Sequence, residues 1–289
     1  YCFLTSTIRF WFWYTGVGDN TFTVKRKEDT ATNVKLHVTK DEGLGWLISK
    51  GGNWDILRIQ GTSGNPNDPN GGGGLSKPAV ETWHHLACTW DGTTYRLFLN
   101  GAVESQVTDS SAPDANNAWL TFGAQEGGTN PMNGYLDSIR ISLVARYTAA
   151  FTPGVVDVAA DANTVLMLHA NTLFVDSSSS GHALHGTIPQ VTTQKKFGPT
   201  TYSTSMYFDG GGSVTGGSAA GGFISVPDSD DWHFGDGEFT VDFWIYKDSS
   251  AYGFYEGIIG QWWNWPLDSC QESWLIGFGN GGSVNGGGD

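Results

Sequence analysis

Trp83-His84-His85-Leu86-Ala87-Cys88-Thr89-Trp90, then Asp91-Gly92, then Tyr95-Arg96-Leu97-Phe98-Leu99, then Asn100-Gly101 is the stretch that decides the fold. Apolar and polar residues alternate along both runs, the period of strands whose two faces differ. Asp-Gly and Asn-Gly tolerate the positive backbone φ that a tight hairpin turn needs. The stretch therefore reads as a hairpin that continues into a third strand over 102–107. Runs of the same kind occur at 8–13, 33–38, 55–59, 119–123 and 134–143, and again at 163–169, 205–210, 223–227, 239–246 and 274–278. The one helical hint is short, at 143–147. Many strands at this spacing predict an all-β protein, an antiparallel β-sandwich of jelly-roll type.

Composition supports that reading. The chain has 289 residues with 41 Gly and 13 Trp, 13% aromatic and 15% charged residues. It is too aromatic for a disordered chain and too rich in glycine for a helical bundle. A formal net charge of −14 opposes binding to phosphate backbones, so nucleic acid is excluded as a partner. The cluster Lys25-Arg26-Lys27 is followed at once by Glu28 and Asp29 and reads as a solvated loop. Three cysteines, Cys2, Cys88 and Cys270, lack any zinc or disulfide spacing, and Cys88 reads as a buried free thiol. No run approaches the roughly 20 apolar residues of a membrane helix, so membrane insertion is not expected. Residues 61–76, rich in Gly, Pro and Asn, read as a surface loop.

One strand occurs twice. Thr7-Ile8-Arg9-Phe10-Trp11-Phe12-Trp13-Tyr14 is echoed 233 positions later by Thr240-Val241-Asp242-Phe243-Trp244-Ile245-Tyr246. Leu47-Ile48-Ser49-Lys50 is set against Ile258-Ile259-Gly260-Gln261 at the shorter offset of 211. A repeat of that period cannot fit twice in this length. The expected organisation is a window onto a tandem array: residues 1–154 as the closing portion of one sandwich, a linker over 155–162, and residues 163–289 as the opening portion of a second, both incomplete.

Taken in order, these motifs resemble laminin G-like and pentraxin-like domains of the concanavalin A-like lectin/glucanase superfamily. Trp83–Ala87, Trp90-Asp91-Gly92 and Leu97–Gly101 look like its central hairpin. Gly134-Tyr135-Leu136-Asp137-Ser138-Ile139-Arg140-Ile141 looks like its closing strand, and Arg146 through Pro153 like the tail behind it. Asp176 through His182 resembles the opening loop, with Tyr207-Phe208-Asp209-Gly210 and Phe239–Trp244 as the next strands. The style of 161–235 is similar to laminin G-like domains of bacteriophage virion proteins, tail fibres among them, and of bacterial surface proteins. That resemblance implies a location on a virion surface, outside the cell or on its surface.

The resemblance also implies a structural calcium, with Asp137, Asp176 and Asp209 as candidate ligands, since calcium takes six to eight oxygens from carboxylates and carbonyls. The same aspartates can instead cap turns. A glycoside hydrolase needs two flanking carboxylates. The Glu-x-Asp-x-x-Glu run of related laminarinases does not occur, Glu238 and Asp242 share a strand face, and no nucleophile–base arrangement stands out, so no enzyme activity is expected. His84 and His85 should point to opposite faces, one packed and one solvated. For ligand binding the candidates are Trp262, Trp263 and Trp265 in a probable loop, Tyr255 before them, and Trp54 in the first half. Clustered aromatic rings stack on sugars and mark interaction surfaces generally.

Three functions follow as expectations. The first is a non-enzymatic adhesion protein binding glycans of a host or neighbouring cell, with many copies raising avidity. The second is a capsid, tail or filament decoration contacting only other copies or neighbouring proteins of the virion or surface. The third is the carbohydrate-binding module of a polysaccharide-degrading enzyme.

Overall fold

A computed structural model describes residues 20–25, 33–38, 43–50, 53–58, 79–115, 117–128, 131–154, 158–169, 175–187, 190–192, 196–197, 204–210, 222–248, 255–262 and 272–279. The first copy of the repeated strand, 7–14, lies outside the described residues. The strands in chain order are β1 (Asn20–Lys25), β2 (Asn33–Val38), β3 (Gly43–Lys50), β4 (Asn53–Arg58), β5 (Trp83–Trp90), β6 (Thr94–Leu99), β7 (Ala102–Thr108), β8 (Leu120–Phe122), β9 (Asn133–Ser142), β10 (Thr164–Leu168), β11 (His185–Thr187), β12 (Gln190–Thr192), β13 (Ser205–Asp209), β14 (Phe223–Val226), β15 (Phe239–Lys247), β16 (Tyr255–Trp262) and β17 (Glu272–Gly279).

They form two large antiparallel sheets and a separate β1–β2 hairpin. The first sheet runs β12-β13-β9-β15-β5-β6-β7, with β10 also on β9; the second runs β11-β14-β8-β16-β17-β3-β4. The turn chemistry worked as the sequence implies. Asp91 Oδ1 accepts from the backbone N–H groups of Thr93 (3.0 Å) and Thr94 (2.8 Å), and β5 and β6 pair from Trp90↔Tyr95 to Leu86↔Leu99. Asn100 takes φ 52 and Gly101 φ +83 at the next turn. A Cβ on Gly101 would also collide with the Phe151 carbonyl oxygen, because the tail after β9 docks on this turn. The Phe151 N–H donates to the Gly101 carbonyl at 2.9 Å.

In this structure the two segments expected to be incomplete sandwiches complete one another. β15, from beyond residue 163, lies between β5 and β9, both from before residue 154. Likewise β16 pairs with β8, and β14 with β8. The physical reason is complementarity: the early segment supplies the hairpin and closing strand, the later one the opening strands. Residues 155–162 thus join parts of the same sheets. Nor do Leu47–Lys50 and Ile258–Gln261 occupy equivalent places; β3 and β16 flank β17 within one sheet. Trp46-Leu47-Ile48 repeats Trp274-Leu275-Ile276, and the two copies pair antiparallel with Leu47 opposite Leu275.

The core lies between the sheets. β15 contributes Phe239, Val241, Phe243 and Ile245; β5 contributes Leu86, Cys88 and Trp90; β9 contributes Leu136, Ile139 and Ile141. Opposite them stand Phe122, Ile258, Ile259, Trp274, Ile276 and Phe278. Each such side chain is worth about 1.5–3 kcal/mol when fully buried. Cys88 is the buried free thiol expected, its pKa pushed well up by burial. An ion pair crosses this interior. Lys247 Nζ on β15 reaches both carboxylate oxygens of Glu256 on β16, at 2.8 and 2.6 Å, with side-chain exposures of 2% and 5%.

Because Phe243 is fully buried at the centre of β15, Phe243→Ala should cost about 3–5 kcal/mol. Denaturant unfolding followed by tryptophan fluorescence measures it; an unchanged midpoint would place β15 outside the core.

Candidate functional site

The outer face of the first sheet carries the chemistry. Strand alternation puts Thr240, Asp242, Trp244 and Tyr246 of β15 on it, beside outward residues of β5 and β9. It divides into a covered half and an open half.

In the covered half, Asp242 and Arg140 are cross-strand neighbours. Arg140 Nε donates to Asp242 Oδ1 at 2.9 Å and its Nη2 to Oδ2 at 2.8 Å, a two-point contact. The Tyr147 hydroxyl donates to the same Oδ2 at 3.2 Å, and His85 Nε2 stands 3.5 Å from it. Burial works to raise the Asp242 pKa, but hydrogen bonds from His85 and Arg140, and their charge, outweigh it and hold the carboxyl below its ordinary value. Burial, with the Asp242 charge beside it, pushes the Tyr147 phenol up to about 12. The tail 144–151 seals this cluster. Thr89 Oγ1 donates to the Tyr147 carbonyl at 2.9 Å, the Arg146 N–H donates to Thr240 Oγ1 at 2.9 Å, and Tyr147 and Phe151 stack at 3.7 Å. Asp242 is therefore committed to structure. Glu238, just before β15, is exposed and accepts from the Ala145 N–H at 3.2 Å. His84 and His85 do face opposite ways, yet both are buried, at 9% and 5% exposure. The tail covers His85, while His84 is held by Asn100 Nδ2 at 2.9 Å and the Ala79 carbonyl at 3.1 Å.

In the open half, four rings form one row across four strands. Trp83 of β5 stands opposite Tyr246 of β15, Tyr246 opposite Tyr135 of β9, and Tyr135 opposite Tyr207 of β13. Successive ring centroids lie 5.6, 5.4 and 4.9 Å apart, with interplanar angles of 58°, 84° and 35°. All four are half-buried. Acidic groups border the row. The Glu81 N–H donates to the Lys247 carbonyl at 2.8 Å, which sets its backbone beside Tyr246, and Asp248 follows the end of β15. Burial raises the phenol pKa of Tyr135 and Tyr246, with Asp248 acting on both and Glu81 on Tyr246. Both phenols therefore stay protonated at neutral pH, able to donate and accept. Next to the row, Trp244 carries Lys196 Nζ at 3.9 Å over its ring.

The sequence-expected site residues are distributed as follows. Trp54 is in β4, Tyr255 opens β16 and Trp262 ends it, while Trp263 and Trp265 lie outside the described residues. Asp137 is buried on β9 opposite Trp244, and Asp209 is the exposed last residue of β13, opposite Asn133. Asp176 lies after β10, where it accepts from the N–H groups of Met167, Ser178 and His182 and from Ser178 Oγ, each at 2.9 Å. That is the turn-organising use of an aspartate. Among the described residues no three His, Cys, Asp or Glu side chains converge on a point that could hold a metal ion. Nor is any helix among the described residues long and apolar enough to cross a membrane.

A laminin G-type family model, described as the concanavalin A-like lectin/glucanases superfamily, matches residues 4–149. The chain belongs to this superfamily, whose laminin G-like domains are associated with carbohydrate or protein binding. Comparisons with curated proteins and with solved structures returned no match.

Removing the covered carboxylate tests the electrostatics. Asp242→Asn leaves Arg140 buried without its counter-charge, a change that costs about 3–5 kcal/mol. The pH dependence has a definite sign. A depressed carboxyl pKa adds stability above the unfolded value of about 3.9, lost as pH falls through the folded value. Wild-type protein should therefore lose more stability in acid than Asp242→Asn does; parallel stability–pH curves would refute the assignment.

Proposed function

We propose that this chain is a non-enzymatic carbohydrate-binding domain, and that the row Trp83, Tyr246, Tyr135 and Tyr207 binds the sugar. The row is the observation that carries the reading. Half-buried aromatic side chains arranged contiguously on a sheet face mark an interaction surface. Their spacing is close to the length of one hexose residue in an extended glycan, and sugars present apolar C–H faces between hydroxyl rims. The rings are tilted against one another, so the surface is faceted and favours a chain of sugar rings over a flat aromatic ligand. Phenol hydroxyls with Glu81 and Asp248 alongside supply donors and acceptors for the sugar hydroxyls. Membership of a lectin/glucanase superfamily points the same way.

The non-enzymatic part of the proposal rests on Asp242, whose carboxylate is bound by Arg140 and Tyr147 and sealed by the tail. The setting, on a virion or cell surface facing host glycans, rests on the likeness of residues 161–235 to phage and bacterial surface domains.

Glycan-array binding of the full chain tests the proposal. Trp83→Ala and Tyr246→Ala should each weaken binding by about tenfold or more, the scale of one lost ring contact of roughly 1.4 kcal/mol, with the fold retained by circular dichroism. Loss of binding on changing Trp262, Trp263 and Trp265 to Ala, but not on changing the row, would move the site to that loop. Array-wide silence, with capture only by neighbouring virion or surface proteins, would favour a structural decoration.

A further inference from the structure

Beside the aromatic row runs an acidic one. Asp248 stands two residues after Tyr246, Asp209 two after Tyr207, and Asn133 two before Tyr135. Alternation sets all three on the outer face with the rings, about 6.6 Å further along the strands. The Asp248 N–H donates to the Asn133 carbonyl at 3.4 Å, which carries the β15–β9 pairing one step past Lys247↔Gly134, and Asp209 is opposite Asn133. Glu81 closes the row on the β5 side, its N–H bound to the Lys247 carbonyl at 2.8 Å. The order across the sheet is Glu81, Asp248, Asn133, Asp209. Asn133 Oδ1 has no hydrogen-bond partner among the described residues, so the amide in this row has acceptor capacity to spare. The acids lie close enough to act on the rings: the Tyr246 phenol feels the charge of Glu81 and Asp248, and the Tyr135 phenol that of Asp248.

The same face already holds an ammonium on a ring. Lys196 Nζ lies 3.9 Å from the centroid of Trp244, two residues before Tyr246 on β15. That is a cation–π contact, in which the electron-rich ring face attracts positive charge. Along β15 the order is therefore an indole carrying a cation, then phenols, then a carboxylate. Rings and carboxylates favour the same sign of ligand charge, and the formal net charge of −14 adds to the field. The chemistry of a stacked sugar fits this layout. When its C–H face lies on an aromatic ring, its equatorial substituents project sideways past the ring edge. An ammonium in such a position carries three N–H donors and reaches towards the row beside the rings.

We infer that the glycan taken by the aromatic row is cationic, a chain containing free amino sugars, with an ammonium held between the Tyr246 and Tyr135 rings and the carboxylates of Glu81 and Asp248. The inference rests on the reading of the row as a sugar site and adds the class of sugar. The rings supply attraction common to many sugars, and the acids supply the discrimination. N-acetylation removes the charge and leaves the carboxylates facing a neutral amide. A uronic or sulfated sugar would meet like charge. Selection thus works by repulsion of the wrong sugar as well as attraction of the right one. Hydrogen bonds from an ammonium to a carboxylate are roughly twice as strong as neutral ones, and on an open face they weaken as salt screens them.

Titration calorimetry of the full chain tests this, with a glucosamine oligomer and an N-acetylglucosamine oligomer of the same length. At a pH where the amine is charged, the glucosamine oligomer should bind about tenfold more tightly or better. Its affinity should fall as ionic strength rises from about 0.01 M to 0.15 M. In Glu81→Gln/Asp248→Asn, which keeps side-chain size, the ratio of the two affinities should shrink towards one. Tyr246→Ala should weaken both oligomers. Equal or tighter binding of the N-acetylated oligomer by the wild type would overturn the inference while leaving the row a sugar site. An undiminished ratio in Glu81→Gln/Asp248→Asn would overturn it too. Binding of neither oligomer, with a lysine-rich peptide bound instead, would overturn this inference and the sugar reading together.

Discussion

The placement of β15 between β5 and β9 is the constraint on which the rest depends. Its inward side chains, Phe239, Val241, Phe243 and Ile245, connect the core residues of both neighbours. Its Lys247 ties the first sheet to the second through Glu256. Its Asp242 fixes Arg140, around which the tail folds. Without β15 the first sheet would split into a β5–β6–β7 piece and a β9 piece, each with an open hydrogen-bonding edge. The strand is contributed from far along the sequence, so these contacts must be made across a long loop closure. That is entropically slow to reach, though not costly in proportion to its length.

The same strand also makes the two halves of the outer face different. At its start, Thr240 and Asp242 are polar and accept the tail, whose Arg146 N–H, Tyr147 hydroxyl and Phe151 ring close over them. At its end, Tyr246 is aromatic and has aromatic partners on both sides, and among the described residues no tail lies above it. Position along one strand therefore sets which part of the sheet the tail covers and which part carries the aromatic row. The docking of the tail on Gly101 sets how far the covered half extends, since any side chain there would push Phe151 away.

The fold was legible because it is written in short-range signals. Alternation in Trp83–Trp90, the Asp91-Gly92 turn and the Asn100-Gly101 turn all reappear as strand, turn and strand. The organisation was less legible. The repeated strand and the order of closing before opening motifs are visible in the sequence. They are equally consistent with two partial sandwiches or with one sandwich assembled from both parts; only strand pairing decides. The aromatic row was missed for a related reason. Trp83, Tyr135, Tyr207 and Tyr246 are scattered over the chain, and only the registers of three strand pairs bring them into line. The Trp262–Trp265 cluster, by contrast, is legible because its rings are adjacent in sequence. Asp176 sits in a motif of opening-loop type, and what only the structure adds is the turn it organises, through the N–H groups of Met167, Ser178 and His182 and the Ser178 hydroxyl. One of His84 and His85 is expected to be solvated, yet both are buried, because alternation alone cannot show a tail lying on top of a sheet.

The direct measurement of the central claim is a crosslink. Val241 lies opposite Cys88 in the β15–β5 pair, and directly opposed residues of antiparallel strands are about 4.5–5.5 Å apart at Cα, within disulfide range. Val241→Cys, oxidised mildly and mapped by peptide mass spectrometry, should give an intrachain 88–241 link in monomeric protein, distinguishable from any link to Cys2 or Cys270. Failure of that link, with Ile8→Cys joining to Cys88 instead, would mean that the first copy of the strand holds the slot and would contradict this account of the fold.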